Sequence, residues 1–327
     1  MDTTPISCKT LGDLFGVDGK RLEVQYALHL SNFLTWDQKP HACDWLLFPE
    51  NIGSNLSMDE TSLSMGELYT IVTNKEAKGK KGALVAIIKG VESQRIICIL
   101  RKIPTNKRNR VKEITIDLAP TMELIARRSF QKATIVSDRF HVQRLASDAV
   151  QEIRIKHRWE AIDQENAERE LCKQEGQPFK ANIFENGDTL KQLLARSRFL
   201  LFKDSRKWTP SQRHRAELLF KHYTDLELAY NLSRSLSDIF SKTKDRLVAF
   251  KKLALWYNEV EKAGFKSFNT VSRTIQNNYQ HILNYFNERS TNASAESFNA
   301  KVKALRNQFR GVRNVDFFLF RLSKIYA

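Results

Sequence analysis

The feature that most restricts the fold is a change of hydrophobic period along the chain. β-type apolar runs occur only between residues 56 and 137, and one short helical pattern, Met122 to Phe130, lies between the last two runs. Consecutive strands followed by a helix and one more strand predict a mixed α/β sheet. The runs are Leu56 to Met58, Leu68 to Val72, Ala83 to Ile88, Ile96 to Leu100, Ile114 to Ile116 and Ala133 to Val136.

Beyond the last run, the apolar spacing is helical. From about residue 142 to 290, residues such as Leu145, Ala149 and Val150 recur at helical intervals, and no strand-like run appears. Thr209 followed by Pro210 is typical of a helix start. The pattern therefore predicts that the sheet is interrupted, or followed, by a helical region of about 150 residues.

Residues 1–55 predict a short helical N-terminal segment. Two apolar patterns, Leu11 to Phe15 and Leu22 to Phe33, are separated by a turn that contains Gly16 and Gly19. This is helix, turn and helix in outline. Two interpretations stay open, because the same outline fits a DNA-reading helix-turn-helix and a pair of helices that only pack against the rest of the chain.

The charge of the chain indicates its kind of partner. The formal net charge is +16 and the pI is near 9.7, and an excess of this size indicates a polyanion, usually nucleic acid. Because no run of about 18 apolar residues and no signal-peptide pattern occurs, we expect a cytoplasmic protein without a membrane partner. The wide spacing of the cysteines predicts neither a zinc site nor a disulfide framework; they are Cys8, Cys43, Cys98 and Cys172.

Basic residues are dense in the loop from Arg101 to Lys112 and in the C-terminal segment after Asn292. An exposed charge run is often only a solvated surface, but on a strongly basic chain these segments are candidates for phosphate contact. The residues that we expect at DNA are Lys107, Arg108, Arg110, Lys301, Lys303, Arg306, Arg310 and Arg313.

Three aspartates follow β-type runs and are candidates for chemistry. Asp59, Asp117 and Asp138 each come at the end of a run, and acids at strand ends tend to cluster at one edge of a sheet. Carboxylates are the ligands that Mg²⁺ prefers, with positions left for water and phosphate. Aspartate is also common at strand ends because it starts turns, so the structural interpretation stays open for each.

Glu296 is the fourth candidate acid. Asn292 or Ser294 can cap a helix in which Glu296 occupies the first turn, with Asn299 and Lys303 on the same face. A glutamate at this position also fits a simple capping or dipole-related role.

Three stretches in this order resemble motifs of the ISL-three-like class of bacterial insertion-sequence DDE transposases. The first is Met58, Asp59 and Glu60, at the first predicted strand. The second runs from Ala133 to Val142 and contains a D-R-F-H-V box, namely Asp138, Arg139, Phe140, His141 and Val142. The third contains Asn292, Glu296, Asn299 and Lys303, followed by Gly311, Val312, Arg313 and Asn314.

This resemblance implies an RNase H-like mixed sheet with one acid on its first strand, one after its fourth and a glutamate on a later helix. By position these are Asp59, Asp117 and Glu296, while Asp138 and His141 match an accessory box; Asp138 stays the alternative second acid. The helical region then becomes an insertion. The implied domains are 1–55 (the N-terminal segment), 56–141 (first part of the catalytic core), 142–290 (the insertion) and 291–327 (C-terminal part of the core).

The resemblance also implies an activity and its partners. It implies strand cleavage and strand transfer with two Mg²⁺ ions, for which Mn²⁺ can substitute, on transposon ends and target DNA by a homo-oligomer. Members usually carry an N-terminal zinc-binding and helix-turn-helix region, so end recognition here is assigned either to a separate DNA-reading polypeptide or to a remnant in the first 55 residues. An RNase H-like nuclease and an inactive, basic DNA-binding remnant are the alternatives.

Overall fold

The computed structural model describes residues 1–64, 66–309 and 314–327. Its contacts divide the chain into two compact units, which are described separately below. The first unit is formed by Met1–Asp138 and Glu288–Ala327, and the second by Arg139–Asn287. None of the helices among these described residues is long and apolar enough to span a membrane.

Helices and strands are numbered in chain order. The described helices α1 to α14 are Cys8–Phe15, Gly19–Gln25, Ser93–Leu100, Thr105–Arg108, Pro120–Ser129, Arg139–Gln174, Leu190–Arg196, Pro210–His222, Thr224–Lys242, Arg246–Ala263, Lys266–Asn277, Tyr279–Glu288, Ala293–Gln308 and Val315–Tyr326. The strands β1 to β6 are Trp45–Leu47, Asn55–Ser64, Glu67–Asn74, Leu84–Lys89, Glu113–Ile116 and Thr134–Ser137.

The six strands form one mixed sheet in the order β1-β4-β3-β2-β5-β6. The pairs β1/β4, β4/β3 and β3/β2 are antiparallel, whereas β2/β5 and β5/β6 are parallel. If the short edge strand β1 is left out and the strands are counted in chain order, β2 is the first strand of this sheet and β5 is the fourth. The predicted RNase H-like mixed sheet, accompanied by a helical region, is therefore confirmed.

The two faces of the sheet differ because alternate residues of a strand point to opposite sides. Leu56 and Met58 of β2 belong to an apolar core with residues of α3 and α5. On the other face, Ile71 of β3 and Ile87 of β4 pack with α13 and α14. That second face, which we call the α13 face, is apolar beside β3 and β4 and becomes polar toward β2 and β5, where buried Ser57 and Thr115 lie.

One predicted strand was wrong. Ile96 to Leu100 forms the second half of helix α3. Four of its five residues are buried, and the exposed one is Cys98, which gives buried positions at i, i+1, i+3 and i+4. This is the face of an amphipathic helix, and a short apolar run does not distinguish it from a buried strand. The three-residue strand β1 was missed because its run is too short to show a period.

The N-terminal segment has the predicted helix, turn and helix. Helix α1 ends at Gly16, whose φ of 68° is in the left-handed region, and α2 begins three residues later. The chain that follows packs against α14, with the ring centroid of Phe33 at 5.3 Å from those of Phe317 and Phe320. A DNA-reading role for this segment stays a prediction.

The second unit is helical, as predicted. The long helix α6 packs against α7, α9 and α11. Among the described residues of this unit, the only β-type feature is an isolated bridge between Ile183 and Thr189. Thr209 caps α8 in a reciprocal arrangement with Gln212, as the Thr-Pro pair predicted. A fully buried carboxylate, Asp188, pairs with two arginines and anchors the loop before α7.

Arg108 holds the basic loop in place through backbone contacts. Its guanidinium donates hydrogen bonds to the carbonyl oxygen of Ile103 at 2.9 Å and to that of Ser129 at 2.7 Å. Both of these residues are fully buried. Burial lowers the pKa of Arg108. Its donors are therefore engaged within the protein, in contrast to the neighbouring Arg110, which is exposed.

We predict that Arg108→Ala lowers the free energy of unfolding by about 1 to 3 kcal/mol, because two buried carbonyl groups lose their donor. Arg110→Ala should change it by less than about 0.5 kcal/mol, as expected for an exposed side chain. Urea unfolding of both variants provides the measurement. Equal stability of the two variants would contradict a structural role for Arg108.

Candidate functional site

Three acids lie at one level of the sheet. The parallel register pairs Ser57 with Thr115, and Thr115 in turn with Val136. Two residues further along come Asp59, Asp117 and Asp138. Asp117 and Asp138 directly follow β5 and β6, whereas Asp59 lies inside β2 and not at its end as expected, so the three are side by side at one level of the sheet. The two-residue period places them on the α13 face. Asp138 is buried, and the other two are partly exposed.

Helix α13 contributes polar side chains to this edge. Asn292, Glu296 and Asn299 are spaced at i, i+4 and i+7 and so share one helix face. Asn299 Nδ2 donates to Asp59 Oδ2 at 2.6 Å, and Asn292 Nδ2 donates to Asp117 Oδ1 at 3.4 Å. Both asparagines are buried. One helix thus contacts two of the aligned strands through amide groups.

Glu296 lies near the third aligned acid. It is exposed in the first turn of α13, and its carboxylate oxygen lies within 4.8 Å of one from Asp138. His141 follows Asp138 by three residues, in the first turn of α6, where the second unit begins. Among the described residues, Asp59 and Asp117 belong to no group of three or more potential ligands that is equally close.

The sequence suggested Asn292 as a helix cap, but the structure gives it a different contact. It occupies the N-cap position of α13 without making a side-chain cap hydrogen bond, and its amide contacts Asp117 instead. The sequence places Asn299 on the same helix face as Glu296 and in the third motif, but it does not indicate a contact with Asp59. The spacing of the two asparagines around Glu296 is the signal that points to this role.

The local electrostatics show a negative edge with a partly buried counter-charge. Burial, and then the charge of Asp117, raise the pKa of Glu60. Lys75, 14% exposed, forms an ion pair of 3.1 Å with Glu113 and donates to Thr115. Burial lowers the pKa of Lys75, while Glu113, and more weakly Asp138, act against this lowering. A partly buried ammonium group therefore lies beneath the acid edge.

The residues at this edge fit a hard divalent cation. Carboxylate oxygens dominate, and Mg²⁺ prefers such oxygens while it retains several water molecules. The side-chain oxygens of Asn292 and Asn299 are buried acceptors for which the described residues provide no donor. Water molecules around a bound ion would donate to them. No cysteine lies among these residues, so a thiolate zinc site does not fit.

The predicted DNA-binding residues lie in different places. The loop with Lys107, Arg108 and Arg110 precedes β5, whereas Asp117 follows it. At about 3.3 Å per residue, the end of this loop is on the order of 17 Å from Asp117. Lys301 donates to the carbonyl oxygen of Gly79 at 2.7 Å.

The remaining basic candidates belong to or follow α13. Lys303 is exposed and Arg306 is partly buried. Arg310 and Arg313 lie outside the described residues.

Comparisons with known proteins agree with the motifs. A family model described as a transposase, of the DDE ISL3 type, matches residues 56–322. The chain is also similar to the transposase for insertion sequence element IS1001 of Bordetella parapertussis, with 22% identity over 269 residues. This alignment covers 82% of the chain and 59% of the relative, so the chain spans about three fifths of that protein's length. No solved structure matches the chain.

We predict that Mn²⁺ raises the thermal unfolding midpoint, because a cation offsets the repulsion among the acids of the edge. At ten times its dissociation constant, a ligand of the folded state adds about 1.4 kcal/mol. For a chain of 327 residues, this raises the midpoint by about 2 °C. The Mn²⁺-induced shift should disappear in Asp59→Asn and Glu296→Gln. It should persist in the control Asp238→Asn, which removes a surface partner of Lys242. Equal shifts in all variants would contradict a cation site at this edge.

Proposed function

This chain belongs to the ISL3 family of insertion-sequence transposases, and on that premise we propose that it cleaves and joins DNA strands by metal-dependent phosphodiester chemistry. The substrates are the ends of an insertion sequence and the target DNA. We assign Asp59, Asp117 and Glu296 as the carboxylates that hold the metal.

The arrangement of β2, β5 and α13 carries this proposal. Asp59 and Asp117 are level on two paired parallel strands, and the asparagines that flank Glu296 contact both of them. Acids far apart in the sequence are thereby collected at one edge. Asp117 is preferred to Asp138 as the second ligand because it follows the strand that pairs directly with β2 and because Asn292 contacts its carboxylate.

The proposed ion is Mg²⁺, with Mn²⁺ as a substitute. When bound as a pair, such ions activate the attacking oxygen and stabilise the leaving oxygen of an in-line displacement at phosphorus. The protein's own contribution is position and charge. Asn299 orients the carboxylate of Asp59, Asn292 orients that of Asp117, and the exposed Glu296 faces the side from which DNA can approach. No covalent enzyme intermediate is required.

Asp138 and His141 have a supporting role in this proposal. The buried Asp138 lies within 4.8 Å of Glu296, so its carboxylate restrains where Glu296 can lie. Lys75 beneath the edge offsets part of the charge of the acids. As further parts of the proposal, the protein acts in the cytoplasm as a homo-oligomer on DNA, and end recognition uses a separate DNA-reading polypeptide or the N-terminal helices.

We predict that Asp117→Asn abolishes metal-dependent cleavage and joining, with a loss of several orders of magnitude, because charge that develops at the phosphate is no longer neutralised. Asp138→Asn should only weaken activity. DNA affinity should stay unchanged for both variants at fixed salt. Cleavage and joining of labelled DNA by the purified variants, assayed together, provide the test.

The opposite result, a fully active Asp117→Asn beside an inactive but folded Asp138→Asn, would reverse the assignment of the second acid. Joining of pre-cut ends separates strand transfer from simple hydrolysis. Cleavage without joining would identify a nuclease and refute the transposition proposal. Full activity in every acid variant would refute the metal-dependent mechanism.

We predict that Asn299→Ala raises the Mn²⁺ concentration for half-maximal activity by about 10 to 100-fold, as is typical when a residue that orients a metal ligand is lost. The rate at saturating Mn²⁺ should fall less. Asn307→Ala, an exposed asparagine of the same helix, is the matched control. If Asn299→Ala lost rate while its metal dependence stayed unchanged, the residue would be structural and not a positioning residue.

A further inference from the structure

Three loops meet at the end of the sheet opposite the acid edge. They precede β5, follow β3 and precede β6. The Ser54 backbone amide donates to Glu76 at 3.1 Å, the Lys112 amide donates to the Ser54 carbonyl at 2.8 Å, and the Thr134 amide donates to the Lys112 carbonyl at 2.8 Å. This row of hydrogen bonds makes the loops neighbours.

In these described loops, exposed cations outnumber the single exposed acid, Glu76. Glu113 is buried and paired with Lys75, and Glu76 is engaged by Ser54. Within the described part of the chain, none of the exposed cations of the three loops forms an ion pair. They define what we call the basic end: Lys78, Lys80, Lys81, Arg110, Lys112 and Lys132.

The loops of the basic end are held by internal contacts. Arg108, in the loop before β5, donates to the carbonyl oxygens of Ile103 and Ser129. Lys301 of α13 donates to the carbonyl oxygen of Gly79, in the loop after β3. Because these backbones are already ordered, binding a partner costs less conformational entropy than ordering a free loop would. A mobile, solvated charge run would lack such anchors.

We propose that the basic end binds phosphates of duplex DNA that flanks the segment held at the acids. This inference rests on the proposed function in taking DNA as the partner. Five residues of extended chain, about 17 Å, separate Lys112 from Asp117. That length equals roughly five base pairs of a duplex running along the strands. The surface supplies affinity without reading sequence, because lysine and arginine here meet the DNA backbone.

The test is the salt dependence of DNA binding by the full-length chain without divalent metal, so that no strand is cut. The triple variant Lys80→Ala, Arg110→Ala and Lys132→Ala removes one cation from each loop. The control Lys156→Ala, Arg169→Ala and Lys242→Ala removes the same charge from a net +16. Each residue of the control already pairs with an acid on its own helix.

With a duplex of arbitrary sequence, the negative slope of log affinity against log salt should become shallower by about 0.9 for each lost contact. The affinity at low salt should fall by on the order of tenfold. The control should change neither. Equal effects in both variants would show a general charge effect and overturn the proposal, as would an unchanged slope. Weaker binding to anionic lipid vesicles with unchanged duplex binding would also overturn it.

This measurement is independent of the chemistry at the acids. If acid variants keep full activity while the basic-end triple variant loses affinity, the proposed metal mechanism fails and the DNA surface stands. If the acid variants are inactive and the triple variant binds normally, the mechanism stands and the surface is wrong.

Discussion

The parallel pairing of β2 with β5, and of β5 with β6, is the constraint on which the site depends. In parallel strands, residues paired across the ladder lie level and point the same way, so one register places Asp59, Asp117 and Asp138 side by side. Parallel neighbours require long crossover connections, which are supplied by α3 with α4 and by α5. These helices bury the opposite face through Leu56 and Met58, which leaves the α13 face for the polar residues.

Like charges at one edge are destabilising, and the surrounding residues show how the fold tolerates them. Two amide groups donate hydrogen bonds to the carboxylates of Asp59 and Asp117. The partly buried Lys75 pairs with the buried Glu113 beneath the acids. Breaking such a pair would leave an uncompensated buried charge. The polar side of the α13 face therefore keeps a negative charge that Lys75 offsets only in part, while its apolar side provides the packing energy.

Local pattern predicted much of this fold but few of its contacts. Period-two runs identified five of the six strands, and their ends marked Asp59, Asp117 and Asp138. The pattern failed at Ile96 to Leu100, where a short apolar run fits a helix face equally well. It predicts Arg108 as a DNA contact, which stays a prediction, and it gives no sign that this guanidinium donates to the carbonyl groups of Ile103 and Ser129. The contact between Asn299 and Asp59 joins positions 240 apart, a distance over which no period extends, so only the family resemblance related these segments.

The division of the first unit between both ends of the chain has a consequence for synthesis on the ribosome. The strand β6 ends at Ser137 and α13 begins at Ala293, so the whole second unit emerges between them. At typical elongation rates that interval is about 8 to 30 s. Throughout it, the nascent sheet exposes the apolar face that α13 and α14 later cover, and no asparagine is present to meet Asp59 and Asp117. The acid edge is completed only after α13 has emerged.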